Sequence, residues 1–230
     1  MRTHILITGA SRGIGAAIAE ALTADATNVV ALSSADGDLS DPAIPERLWQ
    51  QSLDRLGGRI DVLINNAGIF EANPIAGDDA AWLADWERTM QVNLTASALL
   101  CRRAVLHWQD RGAGGRIVNI ASRAAYRGDS PAHWHYAASK AGMVAMTKTI
   151  ARGYAQDGIL AFAICPGFTM TGMAEGYLAS RGGDELLADI PLGRVAAPQE
   201  IGEMARWCAL DAPASMTGAV LDANGASYVR

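Results

Sequence analysis

Short apolar runs alternate with segments of helical period along the whole chain. HILITGA breaks into glycines and leads into IGAAIAEALTA, whose small apolar residues share one helical face. NVVALSS reads as a second strand, ERLWQQSLDRLG as a helix and IDVLINNAG as a strand. The stretch from Ala80 to Arg111 reads as one long helical segment. GGRIVNIAS, ILAFAICPG and GAVLDANG are further strands, separated by helical HYAASKAGMVAMTKTIARGYAQ and PQEIGEMARWCALD. Such a chain buries its apolar strands by pairing them in parallel under helices on both faces. A doubly wound α/β domain in three layers is therefore expected over residues 1–230. The pattern weakens between Thr171 and Leu192, where a flap or lid is expected, with Met170, Met173 and Tyr177 near its entry.

Composition narrows the function. Half of the 230 residues are hydrophobic and 19% are charged, as in an ordinary globular enzyme. A net charge of −5, with no basic stripe, argues against nucleic-acid binding. No charge-free apolar run is long enough to span a membrane, and the N-terminus enters a strand pattern directly, so neither a span nor a signal peptide is expected. Cys101, Cys165 and Cys208 stand apart in apolar surroundings and read as buried free thiols, which fits a reducing, cytoplasmic setting. His133 and His135 flank one residue but have no third ligand in view, so no metal site is expected.

Two local patterns carry chemistry. Gly9, Gly13 and Gly15 in TGASRGIG lie between a strand and a helix. Glycines there allow a tight turn and close approach of a pyrophosphate, which the helix N-terminus attracts. Tyr136 and Lys140 are spaced i, i+4 and share a helix face. A nearby ammonium favours the phenolate and would lower a tyrosine pKa toward useful acid/base range. Ala137, Ala138 and Ser139 keep the neighbouring surface low.

TGASRGIG, NNAG at 65–68, Ser122, YAASK at 136–140 and PG at 166–167 together resemble the short-chain dehydrogenase/reductase family, over about residues 3 to 226. The resemblance implies a Rossmann-like fold and hydride transfer between a nicotinamide cofactor and a carbonyl or secondary alcohol. It implies that Tyr136 moves the proton, Lys140 tunes it and holds the nicotinamide ribose, Ser122 holds the substrate oxygen, and Asn93 carries a water in a proton relay. Ser130 and Ser139 are displaced from the strand end where that serine belongs. Cofactor contacts are implied for Gly9, Ser11, Arg12, Gly13, Ile14 and Gly15, for Ser33 and Ser34, and for Asp38 and Leu39. Asn65, Ala67 and Gly68 are expected on the crevice wall. Pro166, Gly167, Thr169 and Thr171 are placed to grip the carboxamide.

The residue that would bind a ribose 2′-hydroxyl in NAD-using relatives falls at Ser33, a neutral hydroxyl, while Arg12 can meet a phosphate bidentately. This is similar to NADP-dependent β-ketoacyl reductases, so NADP is expected, with NAD the alternative. Asp36 stands near the spacing of an NAD-type acid but beyond the strand. Between Ser34 and Asn65 the chain is shorter than the family pattern; the crossover helix after the second strand is expected to be missing and the next strand vestigial. Arg123, Arg127, His133, Trp134 and His135 surround the Tyr–Lys segment, as a pocket for an acidic or aromatic substrate or as a solvated loop. The intact Ser122, Tyr136, Lys140 and Asn93 weigh against a non-catalytic dinucleotide sensor, the runner-up, and no substrate domain is present for an extended epimerase. Relatives use the corresponding long helices in oligomers, so a homotetramer or homodimer is expected. Trp82, Trp86 and Trp108 add apolar area there or pack internally.

Overall fold

The computed structural model describes residues 2–25, 27–171 and 183–230. Its strands are β1 (Thr3–Ile7), β2 (Thr27–Ala31), β3 (Val62–Asn65), β4 (Gly115–Ile120), β5 (Ile159–Pro166) and β6 (Val220–Ala223). They form one parallel sheet in the order β2-β1-β3-β4-β5-β6. The helices are α1 (Gly13–Thr23), α2 (Ile44–Arg55), α3 (Asp79–Met90), α4 (Ala96–Asp110), α5 (Ala124–Arg127), α6 (Trp134–Tyr154), α7 (Gly183–Ala188) and α8 (Pro198–Leu210). Of the expected lid, residues 172–182 lie outside the described residues.

Strand alternation sorts the core into two layers. Leu6, Leu63, Ile117 and Ala161 point to one face, where Leu48 and Trp49 of α2, Leu100 and Trp108 of α4 and Ile150 of α6 cover them. Ile5, Ile7, Ile64, Val118 and Phe162 point to the other, under Ile18 and Leu22 of α1 and Ile201 and Ala205 of α8. Each such fully buried side chain contributes roughly 1.5–3 kcal/mol. Helices α1 and α8 approach closely because Gly202 has no side chain: a Cβ there would stand 2.8 Å from the Ala17 carbonyl oxygen. Trp108 packs wholly inside, its indole N–H donating to the Ile60 carbonyl at 2.7 Å.

Two features depart from a simple repeat. Among the described residues no strand lies between β2 and β3, so β2 forms the sheet edge and the chain runs from Ala31 through the loop 32–43 into α2. The expected shortening is thus real, but the crossover helix expected to be missing is present as α2, which leads from β2 to β3; what is absent among the described residues is the vestigial strand. The long helical segment is also not one α-helix: Gln91–Thr95 forms a π turn between α3 and α4. Such turns arise where one residue is accommodated without breaking the helix.

The chain passes from β1 outward to β2 and returns to β3 on the other side of β1. This reversal opens a crevice outside the carboxyl ends of β1 and β3, where doubly wound sheets place their ligands.

Candidate active site

The glycine turn sits at this reversal. Gly9 and Gly13 have φ of +68° and +56°, in the left-handed region that favours glycine. A Cβ on Gly9 would stand 2.7 Å from Ala67 Cα, and one on Gly15 would stand 2.1 Å from the Gly9 carbonyl oxygen. The close packing is fastened from β3. Asn66 donates its side-chain amide to the Thr8 and Gly9 carbonyls at 3.2 and 2.9 Å, and Thr8 Oγ1 accepts the Asn66 and Ala67 N–H groups. Helix α1 then begins with Arg12 as an extended N-cap, no side-chain cap and no acid in its first turn. Its first N–H groups and partial positive charge therefore face the crevice without a protein anion. Ser11 and Arg12 are exposed, and Ile14 packs against the second core layer. Thr171 reaches the same turn, its methyl 3.0 Å from where a Gly13 Cβ would stand.

At the end of β2, Ser33 donates both its N–H (2.8 Å) and its hydroxyl (3.2 Å) to the Asp36 carboxylate. Arg47 donates to the Asp36 carbonyl at 3.1 Å, and Ser34 is exposed. Asp38 is held below the usual carboxylate range, chiefly by the Ser40 N–H. The Leu39 carbonyl accepts from Gln91 Nε2 at 3.3 Å.

Three elements bring the catalytic candidates together. Ser122 follows β4, Tyr136 and Lys140 lie on α6, and Asn93 lies in the π turn. The Ser122 hydroxyl accepts the Ala124 N–H at 3.1 Å and stands close enough to the Tyr136 phenol to act on its pKa. Lys140, almost fully buried, donates to the Ile120 carbonyl at 2.9 Å. Its Nζ lies 5.8 Å from the centre of the Tyr136 ring. Asn93 is tied to Ile69, accepting its N–H at 2.8 Å and donating to its carbonyl at 3.0 Å, and it also donates to Ser139 at 3.3 Å. A Cβ on Gly68 would stand 3.3 Å from Asn93 Oδ1 and 3.5 Å from Lys140 Nζ, so this glycine keeps open the space between them. Ser139 is committed to the Tyr136 carbonyl and Ser130 to His133, which leaves Ser122 as the serine at the phenol.

Electrostatics correct one expectation. Burial dominates at Tyr136 and pushes its pKa up to about 12; the Ser122 hydroxyl opposes this and Asp129 adds to it. Burial likewise pushes Lys140 down to about 8. The net direction at the tyrosine is therefore upward, against the lowering anticipated from the Tyr–Lys spacing.

Asn65 is fully buried and donates inward to Asn119 Oδ1 at 2.9 Å and Cys101 Sγ at 3.3 Å, bracing the sheet. Asn66, Ala67 and Gly68 follow it beside the glycine turn, and Asn66 and Thr8, which fasten that turn, are residues not singled out from the sequence. Across the sheet, Pro166 ends β5 and accepts the Arg123 N–H at 3.0 Å. A Cβ on Gly167 would meet Asn224 at 2.8 Å, and Thr169 is buried, its hydroxyl 3.3 Å from the Gly167 carbonyl. Around the phenol, Phe70 meets the Tyr136 ring edge-on at 4.7 Å and stacks on His133 at 3.9 Å. Cys101, Cys165 and Cys208 are free and buried.

A doubly wound sheet with a glycine turn at its reversal, and a serine–tyrosine–lysine group along the same edge, defines a class of protein. A family model described as Enoyl-(Acyl carrier protein) reductase matches residues 33–225. A 3-oxoacyl-[acyl-carrier-protein] reductase from Synechocystis sp. is 35% identical over 96% of this chain and 94% of its own length. A 3beta-hydroxysteroid dehydrogenase from Eggerthella lenta is 34% identical over 96% and 92%. The crystal structure of a proposed gluconate dehydrogenase from Agrobacterium tumefaciens superposes with a TM-score of 0.86 at 28% identity, covering 100% of this chain and 97% of that one. The chain belongs to the short-chain dehydrogenase/reductase family of oxidoreductases.

Proposed function

We propose that this protein interconverts a carbonyl and a secondary alcohol using a nicotinamide dinucleotide, with Tyr136 as general acid/base. The observation that carries the reading is the convergence of Ser122, Tyr136, Lys140 and Asn93 at the carboxyl edge of the sheet that bears the glycine turn. The cradle suits a dinucleotide: Gly9, Gly13 and Gly15 leave no side chain in it, and α1 presents uncapped N–H groups to a pyrophosphate. The chemistry such a cofactor supplies when bound is transfer of a hydride to or from the substrate carbon.

The chain supplies the rest. Ser122 and Tyr136 hydrogen-bond the substrate oxygen and polarise it. In reduction, the phenol gives its proton to that oxygen as the carbon gains the hydride; in oxidation, it takes the proton back. The high phenol pKa keeps the proton on Tyr136 at neutral pH, the form that reduction needs. Lys140 places an amine beside the phenol, fixed by the Ile120 carbonyl. Replacing Tyr136 by Phe should lower kcat by about 10²–10⁴-fold on a panel of ketones and alcohols, read from nicotinamide absorbance. Undiminished turnover would mean that another acid acts.

NADP is the preferred cofactor in this reading. It is supported by the neutral hydroxyls of Ser33 and Ser34 and by exposed Arg12 at the turn. The Asp36 carboxylate, hydrogen-bonded to Ser33, favours a second reading, NAD, since it would repel a 2′-phosphate. The ratio of kcat/KM for the two cofactors decides; a large NADH preference selects the second. The reading includes action in the cytoplasm as a homotetramer or homodimer, which sedimentation tests. No helix among the described residues is long and apolar enough to cross a membrane.

A further inference from the structure

Arg123 follows Ser122 directly and opens α5. It is 7% exposed, a depth at which arginine is rare unless it is paired. Its guanidinium carbon lies 4.8 Å over the Phe168 ring, on the loop after β5. Its Nη1 is buried without a hydrogen-bond partner among the described residues. Among the described residues that same Nη1 faces the Asp189 carboxylate at 3.6 Å, an ion pair too long for a hydrogen bond, and Asp189 is already hydrogen-bonded to Arg127 at 2.6 Å. Asp129, which also acts on Arg123, is engaged by the Ser130 N–H at 2.8 Å. A buried cation with an idle donor is costly, and a charge-assisted hydrogen bond from an incoming anion would offset that cost.

We propose that Arg123 is the anion-binding residue of the substrate site, and that the substrate is an oxo acid or hydroxy acid whose carboxylate meets the idle Nη1 while its carbonyl or alcohol oxygen meets Ser122. In this proposal both groups belong to one small molecule, since Ser122 and Arg123 are consecutive in the chain. Phe168 holds the guanidinium from one side, so the charge is fixed in direction as well as depth. Arg127 contributes indirectly by engaging Asp189, which would otherwise close on Arg123. The direction of the Arg123 pKa agrees: burial lowers it, and the adjacent Arg127 lowers it further.

This inference rests on the hydride-transfer reading, so its test separates the two. Acetoacetate and 4-oxopentanoate are compared with their methyl esters as substrates. The wild type should favour acid over ester by roughly 10- to 100-fold in kcat/KM, the worth of one charge-assisted hydrogen bond. Arg123→Gln should bring that ratio close to one, and Arg123→Lys should retain part of it. Asp189→Asn should shift it the other way, lowering KM for the acids, because it removes a competing carboxylate. Calorimetric titration with malonate gives a readout without turnover: saturable binding in the wild type, lost in Arg123→Gln. Turnover of ketones with no acid preference, and no malonate binding, overturns the anion site and leaves hydride transfer standing. Malonate binding that depends on Arg123, with no turnover of any carbonyl, overturns hydride transfer instead. Equal loss of acid and ester rates in both Arg123 variants would make Arg123 a structural prop and refute the proposal.

Discussion

Replacing Lys140 by Met should make the protein's stability respond differently to pH, with a sign and size set by the buried amine. The side chain is almost fully enclosed, and its pKa falls from the ordinary 10.5 to about 8. That difference corresponds to about 3 kcal/mol, since each pKa unit is worth about 1.4 kcal/mol. Below pH 8 both folded and unfolded chains carry the proton, and the wild type bears the full cost of burying the charge. Between pH 8 and 10.5 the unfolded chain keeps the proton and the folded chain sheds it, so stability rises with pH by up to about 1.4 kcal/mol per unit. The thioether introduced by Lys140→Met has no proton to shed. It would also leave the Ile120 carbonyl without the amine, at about 1–3 kcal/mol. At pH 7.5 the variant should therefore be as stable as the wild type or more stable, by about 0–2 kcal/mol.

The assay is urea unfolding of both proteins at equal concentration from pH 7.5 to 9.5. Cys101, Cys165 and Cys208 have raised pKa values, so they withdraw stability as pH climbs past 9, as Tyr136 does past 10. Cys101, Cys208 and Tyr136 are common to both proteins and cancel in the difference; Cys165 loses the lowering influence of the Lys140 amine in the variant, which acts in the same direction as the expected gain of the wild type. The wild type should gain about 2 kcal/mol on the variant over this range, or about 0.7 M in urea midpoint for a slope near 3 kcal/mol per M. A difference that stays constant with pH would refute the account of a buried, discharged amine. So would a variant weaker by several kcal/mol at pH 7.5.

Other consequences are equally open to measurement. Gly15→Ala places a methyl 2.1 Å from the Gly9 carbonyl oxygen, so the turn must open; dinucleotide affinity should fall more than tenfold by titration, with about 1–3 kcal/mol lost in unfolding. Trp108→Ala removes a fully buried indole and its bond to Ile60, and should cost about 3–5 kcal/mol in urea unfolding while KM values hold. Dithiobis(nitrobenzoate) should label none of the three cysteines in the native protein and all of them in denaturant, because burial pushes Cys101 and Cys208 up to about 12 and Cys165 up to about 11.

The parts of the fold that are legible in the sequence are those set by local pattern. Alternation of strand and helix and the glycine turn follow from period and turn chemistry, whereas the shortened stretch after β2 shows only against the family resemblance. The π turn at Gln91–Thr95 is not legible, because one accommodated residue leaves the helical period nearly unchanged. The direction of the Tyr136 pKa is hidden for a related reason. The i, i+4 spacing reports the amine, whereas desolvation depends on what closes over the phenol, including Phe70 from the loop after β3. Arg123 reads equally as pocket or solvated loop in the sequence, because Phe168 and Asp189, which enclose it, are distant along the chain.

The central claim is that hydride passes directly between a nicotinamide and a carbon whose oxygen lies against Ser122 and Tyr136. Reduced NADP deuterated at nicotinamide C4, on the face that reacts, tests it with a ketone turned over by the wild type. Deuterium should appear on the new alcohol carbon, and only trace product should form with Tyr136→Phe. Deuterium lost to water, or an alcohol carbon carrying only solvent hydrogen, would contradict the account.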